Sequence, residues 1–123
     1  MSKVWAEIVT KIGENDSSLT IVDISDKNLG SRGSAKLGSA LKKNRVVSEL
    51  DLSNNSIGDQ GFISICQGII DNPKSKVKSI DFSGNDITTA SSEMVEQLTG
   101  NEITLNLSEN PINKKKRKRT ARK

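Results

Sequence analysis

Four polar residues return in one setting along this chain. Asp23, Asp51 and Asp81 each stand between two apolar residues with a serine two places on, in Val22-Asp-Ile-Ser25, Leu50-Asp-Leu-Ser53 and Ile80-Asp-Phe-Ser83. Asn106 fills the matching place in Leu105-Asn-Leu-Ser108, and Glu49 adds a carboxylate beside Leu50. Alternation of this kind puts the polar residue on the outward side of a short strand. Repeated carboxylates have three chemical uses: acid–base catalysis, cation ligation, or contact with a basic partner. Acid–base work needs a pocket and a nucleophile or second reacting group, and the sequence supplies neither. A hard cation wants a tight cluster of oxygens, which a flat row of strands spreads too widely. Like charges at strand spacing repel unless a cationic group sits among them, so a Lys- or Arg-rich protein partner is the functional expectation.

The second chemical feature is Lys114, Lys115, Lys116, Arg117, Lys118 and Arg119, followed by Arg122 and Lys123. Eight cations without an acid among them suit phosphates on RNA or DNA, with an affinity that falls steeply with salt. No aromatic residue interleaves with them, so base stacking is absent and such binding would ignore sequence. The same run has the form of a nuclear-import signal read by an acidic receptor groove. A solvated solubility tail is the plain alternative. Residues 114–123 contain no apolar residue except Ala121 and cannot fold by themselves.

The elements that must position these groups repeat. Val47-Ser-Glu-Leu50-Asp-Leu52-Ser-Asn-Asn55-Ser-Ile57 has the same spacing as Leu19 to Leu29, Val77 to Ile87, and Leu105 to Ile112. The turn position falls at Lys27, Asn55, Asn85 and Asn110. Asparagine suits a turn because its short amide bonds backbone groups the turn leaves open. Lys27 departs from the pattern: either Asn28 takes over that turn or the first loop is irregular. Self-similarity at such a period marks a solenoid of strand–helix units.

These residues resemble the leucine-rich repeat family, and the repeat length with a following helix is similar to its ribonuclease-inhibitor-like class. The resemblance implies an α/β fold, a short right-handed solenoid of about four repeats with a parallel concave sheet. In that family Asp and Ser at these slots often order the strand-to-turn corner, a structural role that competes with partner binding. Short repeats followed by a basic tail also look somewhat like the C-terminal domain of tropomodulin-type actin-end caps.

Residues 1–18 are expected to carry a capping helix, with Val4, Trp5, Ile8, Val9 and Ile12 on one face. The repeat domain then covers 19–113 and the basic tail 114–123. Helices are expected over 32–43, again in the second unit at a shift of 28 with Ile65 matching Leu37 and Ile69 matching Leu41, and about 89–98. Ala35 and Ala40 are expected to allow close approach, and Ala90, Met94, Val95 and Leu98 to face inward. Lys74, Lys76 and Lys78 read as a solvated loop or a small basic patch. No fourth helix is expected, so Leu105, Leu107 and Ile112 are left partly covered. Either the tail or a protein partner then closes that open end.

Composition narrows the class. The chain has 123 residues, no histidine and one cysteine, Cys66. A disulfide framework and a histidine-based catalytic or metal site are excluded. Removing the tail's eight from the 19 basic residues leaves 11 against 15 acidic, so a body of −4 carries a tail of +8. No long apolar run suggests a signal peptide or membrane span, and an intracellular protein is expected. The expectation is a non-catalytic adaptor without cofactor, metal, membrane or small-molecule substrate. It would bind protein at Asp23, Glu49, Asp51, Asp81 and Asn106 or at its open end. Its tail would anchor it to RNA or a nucleoprotein particle such as a ribosome, or direct it to the nucleus. A tropomodulin-like filament-binding factor is the alternative.

Overall fold

The structure is a computed structural model that describes residues 4–113. Helix α1 (Val4–Gly13) precedes β1 (Ile21–Asp23), α2 (Gly30–Leu41), β2 (Glu49–Asp51), α3 (Gly58–Ile70) and β3 (Ser79–Asp81). A single turn of 3-10 helix (Thr89–Ser91) leads into α4 (Ser92–Gly100), and β4 (Thr104–Asn106) follows. The four strands form one parallel sheet in the order β1-β2-β3-β4. Each strand is three residues long, so side-chain alternation leaves one inward residue per strand, and these are Val22, Leu50, Ile80 and Leu105. Ile24, Leu52 and Phe82 follow them into the interior and are fully buried.

Two aromatic rings serve this narrow core. Phe62 of α3 meets Phe82 edge to face, with centroids 4.7 Å apart. Helix α1 packs on α2 and closes the first end of the helix layer. Of its expected stripe, Trp5, Val9 and Ile12 are buried and Ile8 half-buried. Cys66 is buried, and that burial pushes its thiol well above the ordinary cysteine value, so it is a packed side chain and not a nucleophile.

Three expectations need correction. Ala35 and Ala90 are exposed. The close approach of α2 to α3 rests on Gly38 and Gly68 instead, because a Cβ on either would drive into a carbonyl oxygen of the facing helix, Ser64 and Gly38 respectively. Residues 111–113 are helical, with Pro111 at the start, where its missing N–H is no loss.

The turns follow one plan, including the first. Asp26, Asn54, Gly84 and Glu109 all take positive φ, between 54° and 67°. Asn28, Ser56 and Asp86 do so again two residues later. The first loop is therefore regular, and Asn28 does not replace the missing asparagine: it is exposed. The side chain of Asn55 reaches back one repeat, accepting from Lys27 N at 2.9 Å and Leu29 N at 3.1 Å while donating to the Ile24 carbonyl at 2.7 Å. Asn85 does the same for the second turn and Asn110 for the third. A ladder residue thus serves the repeat before its own. The first repeat has no earlier turn to serve, which is why Lys27 can stand there.

Candidate functional site

The sheet register places Asp23, Asp51, Asp81 and Asn106 opposite one another in a single file, as the alternation predicts. A parallel file of Ile21, Glu49, Ser79 and Thr104 runs beside it. Neighbouring strands stand ~4.8 Å apart, so the first file has a carboxylate or amide on every rung of a short ladder, and the second adds the Glu49 carboxylate. Between them lies a shallow open trough of about 500 Å³. Asp23, Glu49, Asp51 and Asp81 line it with no lysine or arginine, and Ile21 stands 68 % exposed at its edge.

Each file carboxylate is also tied down locally. Asp23 Oδ1 accepts from Ser25 N at 2.9 Å and Ser25 Oγ at 2.6 Å. Asp51 and Asp81 repeat the arrangement with Ser53 and Ser83, and Asn106 repeats it with Ser108 at 3.0 and 2.7 Å. Such a loop of two bonds stabilises the corner where strand becomes turn. The Ser25 hydroxyl and amide, with Lys27 nearby, hold the Asp23 carboxyl below the usual aspartate value. The corner-ordering role of this column is therefore present, and Asn106 shows that it needs an acceptor oxygen but no charge.

No local motif announces Asp59. It lies in the first turn of α3 and reaches across to the next repeat, accepting from Thr88 N at 2.9 Å, Thr88 Oγ1 at 2.7 Å and Ser91 Oγ. Burial works to raise its pKa, but the hydroxyls of Ser91 and Thr88 and the Thr88 amide outweigh it and hold the carboxyl below the ordinary value. Thr88 caps the turn ahead of α4 by accepting from Ala90 N at 3.1 Å. A motif search misses this pin because its partners are 29 and 32 residues away.

Among the described residues, no group of three or more Cys, Asp or Glu side chains converges to hold a metal ion. No helix of the described chain is long and apolar enough to cross a membrane. The basic candidates Lys114, Lys115, Lys116, Arg117, Lys118, Arg119, Arg122 and Lys123 lie outside the described residues.

Known proteins share this architecture. A leucine-rich repeat family model matches residues 43–66, the segment that contains β2, the Asn55 turn and the start of α3. The chain has the fold of a short leucine-rich repeat solenoid. This chain superposes on leiomodin-1 actin-binding site 2 with a TM-score of 0.75 and 19 % identity, covering 91 % of this chain and 67 % of that one. It superposes on the tropomodulin C-terminal domain from Caenorhabditis elegans with a TM-score of 0.71 and 16 % identity, covering 85 % and 64 %. The chain thus spans about two thirds of the length of these two structures. No curated protein sequence matches it.

Proposed function

We propose that this chain is a non-catalytic protein-interaction module whose partner lies along the concave strand face. The lining of the trough supports this: four carboxylates, no lysine or arginine, and the exposed Ile21 at one edge. An extended basic protein segment suits it, with cations between the two files and one apolar side chain on Ile21. Exposed ion pairs are each worth only about 0.2–1 kcal/mol, so several must act together.

Asn106 supplies the means of testing charge apart from structure. Asp51→Asn with Asp81→Asn keeps the acceptor that each serine needs and removes two charges. Binding of an Arg-rich peptide, measured by isothermal titration, is expected to weaken about tenfold while the melting temperature stays within a few degrees. Unchanged affinity would sink the concave-face reading.

A filament surface is the second reading, supported by the likeness to leiomodin-1 actin-binding site 2 over 91 % of the chain. Co-sedimentation with actin filaments tests it, and retention in the supernatant at micromolar protein overturns it. For the tail, the run of eight basic residues in the sequence supports attachment to RNA or another polyanion, or import into the nucleus. RNA capture across a salt series, with and without residues 114–123, tests that part. Capture indifferent to salt or to the tail rejects it.

A further inference from the structure

Successive repeats of this solenoid are unequal. Asn55 and Asn85 stand 30 residues apart, whereas Asn85 and Asn110 stand 25 apart. The deficit falls on α4, with 9 residues against 13 in α3, and on the connection after it. The chain from α3 to β3 runs over 71–78, and from α4 to β4 only over 101–103. Equal strands stacked on unequal helices and connections leave a gap on the flank where helices return to strands. It is a groove of about 270 Å³ walled by Ile69, Ile70, Pro73, Val77 and Ile103. Ile70 follows the buried Ile69 as Lys42 follows the buried Leu41 one repeat earlier. An apolar side chain thus stands half-buried where the preceding repeat has a lysine.

The longer connection has two sides. Pro73, Ser75 and Val77 line the groove, and the alternate residues Lys74, Lys76 and Lys78 are exposed. Lys74 N donates to Asn72 Oδ1 at 2.9 Å and Val77 N to Ser75 Oγ at 3.3 Å, so the loop is shaped before a partner arrives. Asn72 Nδ2 ties it to the preceding connection, donating to the Leu41 and Asn44 carbonyls at 2.9 and 2.6 Å. That connection exposes Lys42, Lys43 and Arg45. Across the three connections these six cations face only two acids, Asp71 and Glu102.

The geometry points to a second docking surface on this flank, for an acidic segment of a partner protein that anchors one apolar side chain in the groove. Carboxylates of the segment complement the cations and steer the encounter, while the apolar walls hold the anchor away from water. The groove is smaller than the roughly 300–1,000 Å³ of small-molecule sites, which suits a side chain better than a cofactor. No aromatic ring lines it, so a nucleic-acid base has nothing to stack on. The groove shares no lining residue with the concave trough and lies among charges of the opposite sign. The inference is therefore independent of what the strand face binds.

The probe is a synthetic peptide of glutamates and aspartates with one central leucine, titrated into the isotope-labelled full chain. The amide signals of Ile70, Ser75, Lys76, Val77 and Ile103 are expected to shift. The same peptide with serine in place of leucine is expected to bind about tenfold more weakly, since it forfeits the anchor. Lys74→Glu with Lys76→Glu, both at exposed positions, is expected to weaken the leucine peptide about tenfold or more without moving the melting temperature. Ile70→Lys, which copies Lys42 of the preceding repeat, is expected to bring the two peptides to equal affinity. Absence of binding, equal affinity of the two peptides for the wild type, or shifts confined to residues 114–123 would overturn the proposal. Binding of an RNA oligomer at the same amides as tightly as the leucine peptide would also overturn it, because charge alone would then suffice. If Ile70→Lys does not fold, the leucine and serine peptides on the wild type decide the matter.

Discussion

Between α2 and α3 the two backbones meet at Gly38 and Gly68, whereas α3 holds the start of α4 through the Asp59 carboxylate on Thr88 and Ser91. The first contact is a matter of shape. Small residues on both helices, with Ser34 against Gly61 beside them, let the axes approach until no Cβ fits. The second is polar and partly open to water, with α4 reached through a short 3-10 turn. A solenoid has to repeat its strands at one spacing, but its helices can be spaced by either device. The two devices differ in what they tolerate: one is blind to pH and intolerant of volume, and the other reverses that order.

Substitution at the tight contact should have the largest effect. Gly68→Ala places a methyl against the Gly38 carbonyl, which is backbone and cannot swing aside, so a loss of about 3 kcal/mol in urea denaturation is expected. A loss below about 1 kcal/mol would show that the helices separate easily and that shape is not what joins them. Asp59→Ala should cost less, about 1–2 kcal/mol, because it removes one pin at a half-buried site and leaves Thr88 able to meet water. A cost equal to that of Gly68→Ala would erase the distinction between the two contacts.

Titration sharpens the comparison. The folded-state pKa of Asp59 lies below the ordinary aspartate value, so its contribution is present above that ordinary value and is lost as pH falls through the folded value. The stability gap between wild type and Asp59→Ala should therefore close in acid, while the Gly68→Ala gap stays constant. Parallel denaturation series from neutral pH downward will show whether the two gaps separate. The smallest effect belongs to the first rung of the ladder. Lys27→Asn restores the repeat pattern where there is no earlier turn to serve, and should change stability by less than about 0.5 kcal/mol. Asn55→Lys at the next rung should destabilise strongly, since it strips the acceptor from Lys27 N and Leu29 N and buries a charge.

Much of the fold is legible from local pattern. Leu50 and Leu52, with their counterparts in the other repeats, announce strands because side-chain alternation is a property of neighbouring residues. Their even recurrence puts Asp23, Asp51 and Asp81 in file before any coordinate is known. Pro111 shows where local reading stops short, since proline, a residue type that breaks helix interiors, here starts the helical turn at 111–113. The candidate face was legible as a column of acids, but its serine bonds were foreshadowed only by the family resemblance, because they depend on how the chain bends after each strand.

What the residues determine unaided is the period, the inward apolar positions and the outward carboxylates, all carried by contacts a few residues apart. Which repeat an asparagine serves, why Lys27 is tolerated, how closely Gly38 meets Gly68 and what Asp59 holds were decided by tertiary structure. Each joins groups about 30 residues apart, at distances set by the stacking of whole repeats, and no spacing within one repeat encodes them.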